Sequence, residues 1–168
     1  MLRSPRAVAG ALVVILIAAI VLAVASAKAA SSTCWSYRDR ELALAQRLNK
    51  VRSAHELGAL RLDPELSRVA RSHTKQMVRK RALFHTPAET LGERVTNWLV
   101  LGENVGAAGG VRRIVRKMMS SEAHAANVLF ASYEHIGIGA ERHGGRLWAT
   151  VTFEAERDPG TTLWMPRC

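Results

Sequence analysis

The alternation of apolar and polar residues along the chain predicts helices first and strands later. In "DRELALAQRLNKVRSAH", starting at Asp39, Leu44, Leu48 and Val51 recur at helical spacing, and Gly58 is expected to close that helix. "ALRLDPELSRVARSHTKQMVRK" carries a sharper start signal. Asp63 is the expected N-cap, Pro64 falls at the first helical position, and Glu65 suits the positive end of the helix dipole. Leu66, Val69, Ala70, His73 and Met77 then share one face. Residues 82–98 are less regular, with Thr86-Pro87 and Leu91-Gly92 as breaks. The apolar "NWLVL" runs into "GENVGAAGG", so Glu103 is expected where a strand opens into a glycine-rich loop. Gly109-Gly110 precede a third helix, "VRRIVRKMMSS", and a short helical turn is expected at "AHAANVLF". "HIGIGAER" and "RLWATVTFEAE" flank Gly144-Gly145 as two alternating segments, the pattern of a β-hairpin. Without a βαβ rhythm, this order predicts an α+β domain.

The first 27 residues differ in kind from the rest. Arg3 and Arg6 precede "AVAGALVVILIAAIVLAVASA", which has no charge and ends in small residues. This is the layout of a signal peptide, and it is also long enough for an uncleaved membrane anchor. Either role exports the remainder to an extracellular or cell-envelope location. Residues 28–38 form an expected linker, and 39–168 a single domain. The two cysteines, Cys34 and Cys168, stand near the ends of the exported part and are expected to pair. Closing so long a loop is worth at most about 5 kcal/mol on entropic grounds. It also removes both thiols from candidacy as nucleophiles.

The formal net charge is +10. Loss of Arg3 and Arg6 with a leader changes this only modestly, so the surface suits an anionic partner, a lipid or another envelope component, or is simply an arginine-rich solvated face with no specific partner. The basic residues lack interleaved aromatics, which together with export argues against nucleic acid.

Six histidines are candidates for chemistry. "HELGA" at His55 starts like H-E-x-x-H, but Ala59 stands where the second metal ligand belongs, so His55 is read as a helix-end residue. His73 fits a packed core position, and His135 and His143 are expected to be exposed or structural. His85 lies beside a proline-marked loop, and His124 begins a short helix. With Glu103 they can fill three corners of a tetrahedral zinc site or act as acid and base, although no local spacing forces them together. The chain has no G-x-S-x-G, S-x-x-K or P-loop motif.

Taken in order, "LFHT", "LGENVG", "SSEAHAANVL", "YEHIGIGA" and "LWATVTF" resemble the bacterial branch of the CAP superfamily, the SCP or PR-1-like domains, over residues 39–154. The resemblance implies an α-β-α sandwich with a small antiparallel sheet between helical layers. It also implies that His85, Glu103 and His124 meet in a cleft able to hold a divalent cation such as zinc. The second glutamate of many relatives has no clear counterpart, because "VRRIVRKMMSS" contains no acid; Glu122 and Glu134 are the candidates to replace it. Phe84, Glu122 and Ala123 also depart from the usual residues beside the two histidines.

The resulting expectation is an exported module, membrane-tethered if the leader is retained. It binds a ligand or an envelope surface through a His/Glu cleft and is not an enzyme. A metal-assisted hydrolase using the same cleft, with Glu122 or Glu134 as base, is the first alternative. A purely structural extracellular module is the second.

Overall fold

The computed structural model describes residues 34–157 and Cys168. The expected leader or anchor at 1–27 lies outside the described residues, as does most of the expected linker. Among the described residues, no helix is long and apolar enough to cross a membrane. Cys34, Trp35 and Cys168 belong to a small unit of their own, closed by the Cys34–Cys168 disulfide and by a Cys168 N–H donated to the Trp35 carbonyl at 3.3 Å. Residues 36–157 belong to the second unit, which contains every helix and long strand of the described residues.

Helix α1 spans Asp39–Ala54, and at its start the Arg38 N–H donates to the Glu41 carboxylate at 2.8 Å. Leu44, Ala45, Leu48 and Arg52 form its buried face. After the two-residue strand β1, Arg61–Leu62, comes α2, Pro64–Lys80. Its start follows the sequence signal, since Asp63 accepts the Leu66 N–H at 2.8 Å and Pro64 needs no partner for its nitrogen. A short helix α3, Ala88–Arg94, interrupts the irregular stretch. Strand β2, Trp98–Ala108, is followed by α4, Val111–Met119, and α5, Glu122–Leu129. The hairpin is β3, His135–His143, and β4, Arg146–Glu156. Gly144 and Gly145 both have positive φ, 56° and 72°, as a two-residue hairpin turn of matching twist requires.

The sheet order is β1-β3-β4-β2. The three long strands are antiparallel, and β1 adds a two-residue parallel pair at the β3 edge. β4 therefore lies between β3 and β2, and every position from Leu147 to Glu156 is buried. Both sets of its alternating side chains are covered, because helices pack on both faces. One face presents Ile136, Ile138, Val151 and Phe153 to Leu44 and Leu48 of α1 and to Ile114 and Met118 of α4. The other packs against α2, where Met77 and Val78 meet Val105, Ala107 and Trp148. The result is an α-β-α sandwich.

Glycine placement explains two features of the pattern. In "HIGIG" the isoleucines face the first core, and Gly137 and Gly139 face α2. A Cβ on Gly137 would lie 2.1 Å from the Leu66 carbonyl carbon, and one on Gly139 would lie 2.3 Å from the Ala70 carbonyl oxygen. The helix backbone thus rests directly on the strand. In β2, the expected strand-to-loop junction at Glu103 is not found. Glu103 is mid-strand, opposite Thr152, and pairing continues to Ala108. Gly102 serves close packing, since a Cβ there would lie 2.3 Å from the Tyr133 hydroxyl and 2.8 Å from Asn127 Oδ1.

Buried polar side chains tie the layers together. Arg52 donates to the carbonyls of Gly58, Val128 and Phe130 at 2.7, 2.9 and 2.9 Å, and to that of Tyr133 at 3.3 Å. The fully buried Glu41 of α1 pairs with Arg71 of α2 through both carboxylate oxygens.

Gly137→Ala and Gly139→Ala are each expected to lower stability by about 1–3 kcal/mol or more, because the added methyl meets helix backbone that cannot turn aside. Gly58→Ala, with nothing within 4 Å of the added carbon, should leave the thermal melt nearly unchanged.

Candidate functional site

The three residues picked out by motif converge at β2, an edge strand of the sheet. His85 reaches it from the end of α2. The helix stops at Arg81 in a left-handed conformation (φ 53°), and the chain turns back. His73, buried on α2, donates from Nε2 to the Phe84 carbonyl at 2.7 Å, which pins the residue before His85. His73 is thus a hydrogen-bonded core histidine with a positioning role.

Glu103 projects from β2 on the α2 side of the sheet. Its Oε1 accepts the Thr86 N–H at 2.9 Å and His85 Nδ1 at 3.0 Å, and its Oε2 accepts the Thr86 hydroxyl at 2.7 Å. The side chain is only 5% exposed, whereas His85 is 56% exposed. Three donors therefore stabilise a carboxylate that would be costly to bury alone.

His124 arrives from the first turn of α5 on the opposite layer. Asn104, the residue after Glu103, donates to the His124 carbonyl at 2.9 Å. Asn127 in turn donates to Asn104 Oδ1 at 2.9 Å and to the Glu103 carbonyl at 3.3 Å. The "GEN" triplet and H-x-x-N thus form one device. Gly102 makes room, Glu103 faces the cleft, and Asn104 and Asn127 clamp α5 to β2. Both asparagines stand inside recognisable motifs, but no spacing in the sequence signals the bond between them.

The His85 and His124 ring centroids are 6.5 Å apart. The His124 pKa is lowered from its ordinary value, first by burial and then by the charge of His85. Two imidazoles bound tetrahedrally to one zinc would have centroids roughly 5 Å apart. The donor set suits zinc, but the spacing is wider than a formed site, and His85 spends Nδ1 on Glu103. Among the described residues, three His, Cys, Asp or Glu ligand atoms mutually within 4.8 Å occur at His135, Glu154 and Glu156, not in this cleft.

Neither candidate for the second carboxylate joins the three. Glu134 lies at the opposite edge of the sheet, 3.6 Å from Arg61. Glu122 is exposed in the first turn of α5. His55 caps α1 and His143 is exposed, as expected. His135 takes the other of the two expected roles: it is 3% exposed, at the start of β3 on the face that α2 covers.

Residues 45–153 match the family described as CAP, cysteine-rich secretory protein family. This chain belongs to the CAP family. Among solved structures, the fold is similar to an outer surface protein from Borrelia burgdorferi, at 16% identity and TM-score 0.65, covering 73% of this chain and 96% of that one. It is similar to an extracellular SCP-domain protein from Bacillus anthracis, at 24% identity and TM-score 0.62, covering 70% of this chain but 40% of that one. NaASP2, whose crystal structure contains Zn2+, matches at 11% identity and TM-score 0.55, covering 82% and 86%. At these identities the likeness shows the fold alone. No curated protein sequence matches this CAP chain.

In metal-free protein, His124 should titrate below 6.5 by NMR, and His85→Ala should raise its pKa only part of the way, since burial remains. Because the unfolded chain then binds more protons, this histidine's contribution to stability falls as pH drops through 6.5 toward the lowered folded value. Thr86→Val removes a hydroxyl bond to a nearly buried carboxylate and is expected to cost about 1.5–3 kcal/mol in a denaturant melt.

Proposed function

We propose that this CAP protein is an exported binding module whose cleft takes an anionic amphiphile from the cell envelope, with a weakly held divalent cation at His85, Glu103 and His124. The observation that carries this reading is a cavity of about 310 Å³ that shares His124 with the cleft. Leu83, Val105, Ile114 and Met118 supply apolar wall, while Lys117 and Arg146 line it with positive charge. Such a site suits an acyl chain ending in an anionic head. The three donors on Glu103 and the wide histidine spacing favour binding over turnover, as does the placement of Glu134 at the far edge of the sheet. The solved relatives described as outer-surface or extracellular, together with the disulfide, support a location outside the cytoplasm.

A fluorescent fatty-acid analogue should bind the full chain saturably, and Leu83→Asp and Lys117→Glu should each weaken it roughly tenfold. Both positions tolerate polar side chains, so folding is preserved; unchanged binding in the pair would remove the cavity from consideration. For the cation, zinc titration should reveal an ion that His85→Ala and Glu103→Ala each release. If neither variant alters zinc binding, the cleft is not a metal site.

A further inference from the structure

A second cluster of ligand-type side chains lies farther along the sheet face that α2 covers. His135 on β3 and Glu154 on β4 are directly opposite in register. Glu156 follows two residues later, so it projects from the same face. The three are 3%, 0% and 6% exposed. His135 Nδ1 lies 3.0 Å from Glu156 Oε1 and 4.0 Å from Glu154 Oε2. Neither oxygen of Glu154 has a hydrogen-bond partner among the described residues, and the neighbouring Thr152 hydroxyl on this face also has none. A fully buried carboxyl with both oxygens orphaned costs folding energy unless something else occupies its lone pairs.

We propose that His135, Glu154 and Glu156 form a second cation site, separate from the His85–Glu103–His124 cleft and suited to a borderline divalent ion such as Zn2+. Ligands of one tetrahedral zinc lie roughly 3.3 Å apart, and the observed separations of 3.0 and 4.0 Å bracket that value. The imidazole selects against calcium and magnesium, which prefer oxygen alone. Charge points the same way. The Asp63, Glu65 and Glu156 carboxylates lie close enough to act on the buried Glu154. A dication offsets this concentration of acids.

Arg61 controls this site. Its Nε and Nη2 both approach His135 Nε2, at 3.2 and 2.9 Å, and a guanidinium can only donate. Nε2 is therefore the acceptor, and the proton sits on Nδ1, where the ion must bind. For metal to enter, that proton must leave and Arg61 must release the ring. Arg61 is 58% exposed and has Glu134 as a second partner at 3.6 Å, so it can swing outward. Glu134 also lies near enough to act on the His135 charge. It can then accept the Nε2 proton, as outer carboxylates do for metal-bound histidine.

The test is calorimetric titration of Zn2+ into the full chain, kept in mild detergent and carrying His124→Ala to disable the cleft. One ion should bind, with proton release seen as a dependence on buffer ionisation. Glu154→Gln, which keeps the shape of the neutral acid, should weaken binding roughly tenfold or more, while Arg61→Ala should tighten it roughly threefold. Absence of saturable binding up to about 1 mM zinc overturns the proposal. So does parent-like affinity in Glu154→Gln, which would make Glu154 simply a buried neutral acid. Should that variant fail to fold, Arg61→Ala decides, because it alters an exposed side chain; unchanged or weaker affinity there overturns the site.

Discussion

The direct contact between the α2 backbone and β3 at Gly137 and Gly139 is the constraint from which the rest of the arrangement follows. With no side chain between them, helix and strand have one permitted separation. Thr74 can then bond both the Gly139 carbonyl and the Thr150 hydroxyl, at 3.1 and 2.9 Å, and Ser67 can accept the Ile138 N–H. That seating also decides where the end of α2 points. The turn at Arg81 and the His73–Phe84 bond deliver His85 and Thr86 to Glu103. The cleft is thus aligned by helix packing at a distance from it.

The edge position of β2 does the remaining work. An interior strand would have its flanks occupied, whereas an edge strand allows groups from both helical layers to meet beside it. His85 comes from one layer and His124 from the other, and the Asn104–Asn127 pair sets the second layer's approach. The apolar cavity between Leu83 and Met118 follows the same gap.

Much of this is legible in the chain. Asp63-Pro64, the Gly144-Gly145 turn and the spacing of Leu44, Leu48 and Leu66 each express a local rule, and those elements appear where the rules put them. The convergence of His85, Glu103 and His124 is legible only through family resemblance, because positions so far apart along the chain share no local period. One expectation fails. Glycines in "GENVGAA" suggest a loop, but whether that stretch pairs as a strand depends on what lies across the sheet, and that is tertiary information. The pairing of His135 with Glu154 is hidden on the same account, since register alone makes them neighbours.

Arg52 has a consequence for how the molecule folds. Its guanidinium is held by carbonyl dipoles from chain segments on either side of it, three of them 76 to 81 residues away in sequence. Until that distant stretch has closed over α1, the cation keeps its water, and afterwards it cannot regain water without releasing every partner. Partly assembled states therefore have no favourable place for this charge. The domain should fold and unfold as one cooperative unit, with the closure of a long loop as its slow step.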